Sequence, residues 1–350
     1  MGIRHRHSSS SSASAQRVLD PASQVKFAYV ESADLTRWLA TSGTSPLAVV
    51  SFGSSPAVSL SCPVIQLDLP VLGCPDQCEV WSCDHPIRLH KDGDVSAAIS
   101  GDLLFGSITA SEDSDAGLNR TTHRAYQQLL HLLHESGFPH LWRIWNYFPR
   151  INEEQHGLER YRLFCMGRHE ALAGTLPGFP ASLPAGTAVG TQSGPLQIYF
   201  LAGAHPATHI GNPRQINAYD YPKIYGPRSP SFARATLCRS DGTTQLFISG
   251  TASVVGHQSQ HEGLADMQAL ETVTNLSALI ERAQCTAPSL DQEMKPQSAF
   301  KVYVRNPKHL ETVRPVLQAP FLLSSHLVFL QGDLCRKELL VEIEGLVTTD

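Results

Sequence analysis

The sequence lacks the features that mark membrane, secreted and nucleic-acid-binding proteins. No run of apolar residues is long enough to span a bilayer, and the serine-rich residues 1–23 contain no apolar segment like that of a secretory signal. Basic residues are not in excess, because the formal net charge is −5 at pH 7, whereas binding to nucleic acid phosphates needs a basic surface. We therefore predict a cytoplasmic protein that binds neither membranes nor nucleic acids and whose residues 1–23 form a disordered tail.

Motifs of several familiar enzyme classes are also missing. The sequence has no G-x-S-x-G turn of serine hydrolases, no G-x-G-x-x-G fingerprint and no phosphate-binding loop of the P-loop type. His257, His261 and Glu262 resemble a zinc-protease helix, but the glutamate follows the second histidine instead of the first. We therefore predict neither a serine hydrolase nor a zinc protease, and no nucleotide cofactor is implied.

Cysteine is sparse, with eight in 350 residues, which is too few for a disulfide scaffold. Cys62, Cys74, Cys78 and Cys83 cluster ahead of His85. Their spacing differs from the paired C-x2-C turns of zinc knuckles. We predict free thiols and no metal site, with a metal at the four clustered cysteines as the minor alternative.

One stretch, residues 212–235 (NPRQINAYDYPKIYGPRSPSFARA), is unusually rich in arginine, tyrosine and proline. The prolines favour a rigid loop, and Arg214, Arg228 and Arg234 are forked donors suited to a carboxylate or phosphate. Tyrosine offers a flat apolar face for an unsaturated ring. Residue types alone are equally compatible with two interpretations, a site for a small acidic, partly aromatic ligand and a connector whose arginines face water.

Short apolar runs between glycines and prolines predict strands, and three longer segments predict helices. The helices are expected at residues 119–135, 154–172 and 265–283. The apolar face of the first would carry Tyr126, Leu129, Leu130 and Leu133, and that of the third Met267, Leu270, Val273, Leu276 and Ile280.

The two halves of the chain repeat one order of elements. Gly106 corresponds to Gly250, helix 119–135 to helix 265–283, WRIWNYF to FKVYVRN, and QIYFLAG to VEIEGL. This order indicates an internal duplication with little side-chain identity. We predict an α+β fold of two tandem domains, residues 24–205 and 206–350, each with a mixed sheet covered by helices on one face. The second domain would carry the main site residues.

The final strand, VEIEG, and the order of elements before it resemble the YjgF/RidA superfamily, whose chorismate-mutase-like fold normally trimerises. Two copies with NPRQINAYDYPKIYGPRSPSFARA leading into the second resemble the chorismatase family, most strongly at residues 212–257 and 330–345. That family cleaves the enolpyruvyl ether of chorismate and releases pyruvate. The resemblance implies chorismate as the substrate and an active site without a cofactor. It also implies a monomer or a trimer, since a duplicated chain forms part of the subunit interface internally.

The resemblance nominates four substrate-binding residues, Tyr161, Arg168, Tyr221 and Arg234. Tyr161 and Arg168 lie seven residues apart, or two helical turns, so both side chains can face one cleft. Two arginines in separate places suit the two carboxylates of chorismate. Without the resemblance, Tyr161 would be interpreted as half-buried core and Arg168 as a solvated helix residue.

Two glutamates in the final strand lead to the catalytic prediction. Glu342 and Glu344 fall on the same face of the strand, where two buried carboxylates are costly unless they are paired or used. Cleavage of an enol ether needs a proton on the methylene carbon, and burial keeps a carboxylic acid protonated near neutral pH. The resemblance nominates Glu342 as the acid, with Glu344 as runner-up or support.

Cys335 occupies the position at which branches of the family differ. The resemblance implies that cysteine there goes with the 3-hydroxybenzoate synthase-like branch, in which the ring hydroxyl displaces the enolpyruvyl group through an arene oxide. Some members with this cysteine also make 4-hydroxybenzoate. Three alternatives remain: Cys335 only packs, the enzyme hydrolyses chorismate to a dihydroxycyclohexadiene carboxylate, or the protein is a YjgF-like imine deaminase or ligand-binding protein.

Overall fold

A computed structural model describes residues 25–53, 58–112, 117–240, 243–291 and 298–349. The predicted tail, residues 1–23, lies outside the described residues. The described chain forms three larger β-sheets, two two-stranded ribbons and six α-helices. None of these helices is both long and apolar enough to cross a membrane.

The first sheet has four strands in the order β1-β4-β2-β3. They are β1 (Lys26–Glu31), β2 (Ser45–Phe52), β3 (Val64–Leu67) and β4 (Gln77–Cys83). Helix α1 (Leu35–Thr41) covers one face, where Leu35 packs with apolar residues of β1, β2 and β4. The predicted domain 24–205 thus contains two sheets, and its limits remain a prediction.

The second sheet and its helices are built from residues 88–203. The elements are β5 (Arg88–Asp92), β6 (Val95–Ser100), β7 (Leu103–Ala110), α2 (Gly117–Ser136), β8 (His140–Pro149), the ribbon β9 (Glu154–Gln155) and β10 (Leu158–Glu159), α3 (Arg160–Thr175), β11 (Ala185–Thr191) and β12 (Leu196–Gly203). From one edge the strand order is β5-β6-β7-β12-β8-β11.

The third sheet has the same plan. Its elements are β13 (Thr208–Ile210), β14 (Ala235–Ser240), β15 (Thr243–Ala252), the ribbon β16 (Val254–Val255) and β17 (Gln258–Ser259), α4 (Ala265–Gln284), β18 (Ala299–Val304), α5 (Leu310–Val313), α6 (Pro320–Leu323), β19 (His326–Gln331) and β20 (Val341–Thr349). The order is β13-β14-β15-β20-β18-β19, so strands predicted to correspond occupy the same positions. The α+β fold with two tandem mixed sheets is confirmed.

The three sheets share one central core, and helices cover their outer faces. Trp81 of the first sheet, Trp145 of the second and Phe247 of the third pack together there. Helices α2 and α3 cover the second sheet, and α4 covers the third, as amphipathic helices on an apolar sheet face should.

Two local predictions need correction, and one strand was missed. Helix α3 begins at Arg160 and not at residue 154, because His156 and Gly157, with φ of +54° and +77°, form the turn of the β9–β10 ribbon. On α4, Met267 and Leu270 are exposed, since the buried face instead includes Gln268 and Asn275, whose amides donate to backbone carbonyls. Strand β11 was not predicted at all.

Candidate active site

A cavity of about 450 Å³ lies between helix α3 of the first half and the third sheet of the second half. Five of the six predicted site residues line it, namely Tyr161, Tyr221, Arg234, Cys335 and Glu342. The sixth, Arg168, lines a small adjoining void that also touches Tyr161, Cys335 and Glu342. The fold therefore brings all six together, although their functional roles remain predictions.

Glu342 lies in strand β20, next to the cavity and against Gly250 of β15. A Cβ atom at position 250 would overlap the Glu342 carboxyl oxygen, so glycine makes room for this side chain. The pairing of β15 with β20 is irregular between Ile248 and Thr251, which places Gly250 in a bulged part of the strand. As predicted, Glu342 and Glu344 are on one face, and they are only 4% and 1% exposed.

Glu344 is paired with cations on two sides. Its carboxylate forms ion pairs with Arg143 of β8 and with Lys301 of β18, the latter at 2.7 Å. The hydroxyls of Tyr303, at 2.8 Å, and of Thr187 also donate to it. Burial alone would raise the pKa of Glu344, but the charges of Lys301 and Arg143 outweigh burial and hold its pKa below the ordinary value. Glu344 is therefore an ionised structural carboxylate.

Glu342 has a different environment. No hydrogen bond or ion pair from a described residue reaches its carboxyl group. Burial, and then the negative charge of Glu344, raise the pKa of Glu342 to about 8, against smaller opposing effects of nearby arginines. The side chain is consequently a protonated acid at neutral pH, placed at the wall of a cavity.

Arg168 of α3 is a buried cation with unused donors. Only 3% of the residue is exposed, and its guanidinium lies over the rings of Tyr126 and Phe164, 5.5 and 5.8 Å from their centroids. Its Nε and one Nη have no hydrogen-bond partner among the described residues. A buried charge is costly when unpaired, so these donors can bind an anionic group that enters the cavity.

Arg234 provides a second group of donors from the stretch 212–235. One Nη donates to the hydroxyl of Tyr221 at 2.8 Å and to the carbonyl of Ile216 at 2.7 Å, whereas its buried Nε has no partner in the described chain. The guanidinium lies 5.3 Å from the ring centroid of Phe232. Arg234 is thus held rigidly, and its Nε–H can donate to a ligand in the cavity.

The other two arginines of this stretch have different environments. Arg214 forms a 2.6 Å ion pair with Glu271 of α4 and braces the segment. Arg228 lines the cavity. The geometry favours a ligand site over a connector whose arginines face water.

Cys335 lies in the connection between β19 and β20 and lines both the cavity and the small void. Burial, and then the nearby Glu342, raise the pKa of the thiol to about 12. The residue therefore stays a neutral thiol, which occupies space beside the acid and is not activated as a nucleophile.

Thr187 of β11 is a site residue that the sequence analysis missed. Its hydroxyl accepts hydrogen bonds from Arg143, at 2.6 Å, and from the Gly250 amide, at 2.9 Å, and it donates to Glu344. It therefore ties the first half of the chain to the strand beneath the acid. The segment AGTAVGT gives little apolar signal, and alternation of small residues between two glycines would have been its only sign.

The clustered cysteines do not assemble into a metal site within the described ranges. No group of three or more histidine, cysteine or acidic side chains comes together there. Cys62, Cys78 and Cys83 are buried free thiols, and Cys74 is an exposed one.

The repeated sheets and the buried acid beside free arginine donors define the class: a tandem α+β protein with a site for a small acidic ligand between its halves. A family model for the N-terminal part of FkbO/Hyg5-like chorismatases matches residues 79–202. A 3-hydroxybenzoate synthase of Streptomyces hygroscopicus is 35% identical over 318 residues, which cover 87% of this chain and 92% of the relative.

Two further matches agree. A chorismatase of Streptomyces hygroscopicus is 35% identical over 277 residues, covering 77% of this chain and 78% of the relative. A crystal structure of a chorismatase superposes with a TM-score of 0.80 at 29% identity, covering 94% of this chain and 99% of that one. The chain belongs to the chorismatase family.

Proposed function

We propose that this protein is a chorismatase that converts chorismate into pyruvate and 3-hydroxybenzoate without a cofactor. The observation that carries the proposal is the cavity with its adjoining void, where Glu342, which has no ion-pair partner among the described residues, lies near Arg234 and Arg168. Curated relatives with the names 3-hydroxybenzoate synthase and chorismatase support the same substrate.

In this proposal the two arginines bind the two carboxylates of chorismate at separate points. Arg168 and Arg234 come from different halves of the chain, and each has a buried donor without a partner among the described residues. Charge-assisted hydrogen bonds of this kind fix orientation as well as affinity. Tyr161 and Tyr221 line the cavity beside them and provide flat faces for the ring.

Glu342 then acts as the general acid. It transfers its proton to the terminal methylene carbon of the enolpyruvyl arm, which leaves an oxocarbenium ion on the ether. The bond between the ring carbon and the ether oxygen breaks, and the arm departs as pyruvate. The neighbouring ring hydroxyl attacks the carbon that loses this oxygen and gives an arene oxide, and its proton returns to the Glu342 carboxylate. Opening of the arene oxide yields 3-hydroxybenzoate.

The balance of atoms explains why water must be kept out. Chorismate is converted into pyruvate and hydroxybenzoate without any added water, whereas the dihydroxycyclohexadiene carboxylate requires one molecule of it. Cys335, a neutral thiol beside Glu342, fills space at the point where water would otherwise approach the ring. We therefore assign to Cys335 the choice of product, with 4-hydroxybenzoate as the alternative aromatic product.

Incubation of the purified protein with chorismate tests the proposal. Pyruvate release is followed by coupling to lactate dehydrogenase, and the aromatic product is identified by chromatography against authentic 3- and 4-hydroxybenzoate. The proposal expects stoichiometric pyruvate and 3-hydroxybenzoate. The diene diol as main product would indicate the hydrolytic branch, and absence of pyruvate would reject chorismatase activity in favour of imine deamination or ligand binding.

Two predictions accompany this function. The first is a cytoplasmic location, which the eight free cysteines support because disulfides are rare in that compartment. The second is a monomer or a trimer, which the internal duplication supports. Sedimentation of the purified protein distinguishes these two states.

A further inference from the structure

Arg305, which follows strand β18, is involved in an unusually complete set of hydrogen bonds. A guanidinium has five N–H donors, and here each has an acceptor. Nε donates to the Leu339 carbonyl at 2.7 Å, and one Nη donates to the Asn152 and Asp333 side chains at 3.0 and 2.6 Å. The other Nη donates to the carbonyls of Leu334 and Arg336, at 3.1 and 2.8 Å.

The last two acceptors are the backbone carbonyls of the two residues that adjoin Cys335 in the chain. The connection that contains this thiol, residues 332–340, forms neither helix nor strand except for an isolated bridge between Asp333 and Gly190. Such a segment has no ladder of its own to fix its position. Arg305 donates hydrogen bonds at four points along it, at Asp333, Leu334, Arg336 and Leu339. Asn152 also donates to the Leu334 carbonyl, at 3.0 Å, but Arg305 is the group that reaches the carbonyls of both residues next to Cys335.

We infer that Arg305 is a positioning residue that holds Cys335 against the cavity and thereby sets the partition between 3-hydroxybenzoate and the hydrolytic product. The inference rests on the proposed function, because it assigns to Arg305 control over a product choice made at Cys335. Arg305 itself does not line the cavity. Its effect on the products must therefore pass through the connection that it holds.

The position of the Cys335 thiol decides whether water reaches the ring. A thiol excludes a water molecule only from the space that it fills, and a shift of about 1 Å is enough to change which reaction is faster. Lysine at position 305 would keep the positive charge, and with it the electrostatic effect on nearby Glu342. It would lose the planar fork, so the two carbonyls that flank Cys335 could no longer be held by one group.

The test is a double-mutant cycle of Arg305→Lys and Cys335→Ala, with total pyruvate and the ratio of the two ring products measured for each variant. Arg239→Lys is the matched control, because Arg239 is an exposed arginine that donates to a single backbone carbonyl away from the cavity. We expect Arg305→Lys to raise the hydrolytic share about threefold or more. In the Cys335→Ala background the same change should have no further effect, and Arg239→Lys should leave the ratio unchanged.

The inference is overturned if Arg305→Lys leaves the ratio at the wild-type value, if Cys335→Ala alone does not change it, or if both backgrounds shift equally. Asp333→Asn provides a milder variant in case Arg305→Lys does not fold, since it weakens one hydrogen bond to the same guanidinium and keeps the others. It should shift the ratio in the same direction, and an unchanged ratio in folded Asp333→Asn would also contradict the inference. Absence of pyruvate from the wild-type protein would instead refute the proposed function.

Discussion

Strands β12 and β20 occupy the same place in the second and third sheets, but they present different chemistry to the central core. The residues that β12 turns inward are Tyr199 and Leu201, which belong to the apolar core. The residues that β20 turns inward begin with Glu342 and Glu344, both almost fully buried, and continue with Leu346 of the apolar core. The repeated fold therefore provides two equivalent sheets, and only the later one in the chain carries the two glutamates at this position.

The two acids of β20 differ as much as the two strands do. Arg143 comes from the first half of the chain and Lys301 from the second, and both form ion pairs with Glu344. Glu342, two residues earlier, is left without such a partner among the described residues. Because Arg143 and Lys301 pair with Glu344, the Glu344 carboxylate stabilises the contact between the two halves of the chain. Glu342 keeps its proton and can act as a donor.

The largest expected effect comes from removing the donor. Glu342→Gln keeps the size of the side chain but cannot release a carboxylic proton, so pyruvate release from chorismate should fall about 10²- to 10⁴-fold. Tyr199→Phe, in the inward-facing row of β12, is the control. It loses a 3.0 Å hydrogen bond from Lys301 and should reduce the rate by less than about tenfold. An equal loss of pyruvate release in the two variants would contradict the claim that only β20 carries the catalytic acid.

The next effect separates binding from stability on helix α3. Arg168→Met should raise the KM for chorismate about 10- to 100-fold, because a charge-assisted contact to substrate is lost. The free energy of unfolding should not fall, since two Arg168 donors have no hydrogen-bond partner among the described residues. Denaturant titration and steady-state kinetics measure the two quantities.

Arg160 is the matched control on the same helix. It is also buried, but it forms a bidentate ion pair with Glu112 at 2.8–2.9 Å. Arg160→Met should therefore cost about 1.5–3 kcal/mol of unfolding free energy, because the charge-assisted hydrogen bonds to the partly exposed Glu112 are lost, although Gln155 still donates to it. A larger loss of stability in Arg168→Met than in Arg160→Met would show that Arg168 is a structural residue.

A smaller effect concerns the pKa of Glu342. Glu344→Gln removes a negative charge beside Glu342 and leaves Arg143 without its carboxylate partner, so the pKa of Glu342 should fall. The activity depends on the protonated acid, so the alkaline decline of kcat/KM should move to lower pH by about one unit, which lowers kcat/KM about fivefold at pH 8. Glu338→Gln, which removes a carboxylate at the cavity rim, should leave the decline nearly in place. The same shift in both variants would contradict a specific role for Glu344.

Much of the fold could be predicted from the sequence because it depends on local patterns. Alternation along the final strand correctly placed Glu342 and Glu344 on one face, and the seven-residue spacing correctly directed Tyr161 and Arg168 to one region. The repeated order of strands and helices was also visible, since strand and helix periodicities survive loss of side-chain identity.

The remainder depends on contacts between distant segments. No pattern in VEIEG distinguishes the two glutamates, because the cations that pair with Glu344 come from β8 and β18. Strand β11 has only small residues and little apolar signal, yet it supplies Thr187. The start of α3 was misplaced because the β9–β10 ribbon, too short to show a period, precedes it.

The pH dependence of wild-type pyruvate release tests the central claim most directly. If Glu342 donates the proton, its folded pKa of about 8 requires kcat/KM to be level near neutral pH and to fall tenfold per unit above about pH 8. A kcat/KM that stays level, or that rises, between pH 7 and about pH 10 would show that a protonated Glu342 is not needed.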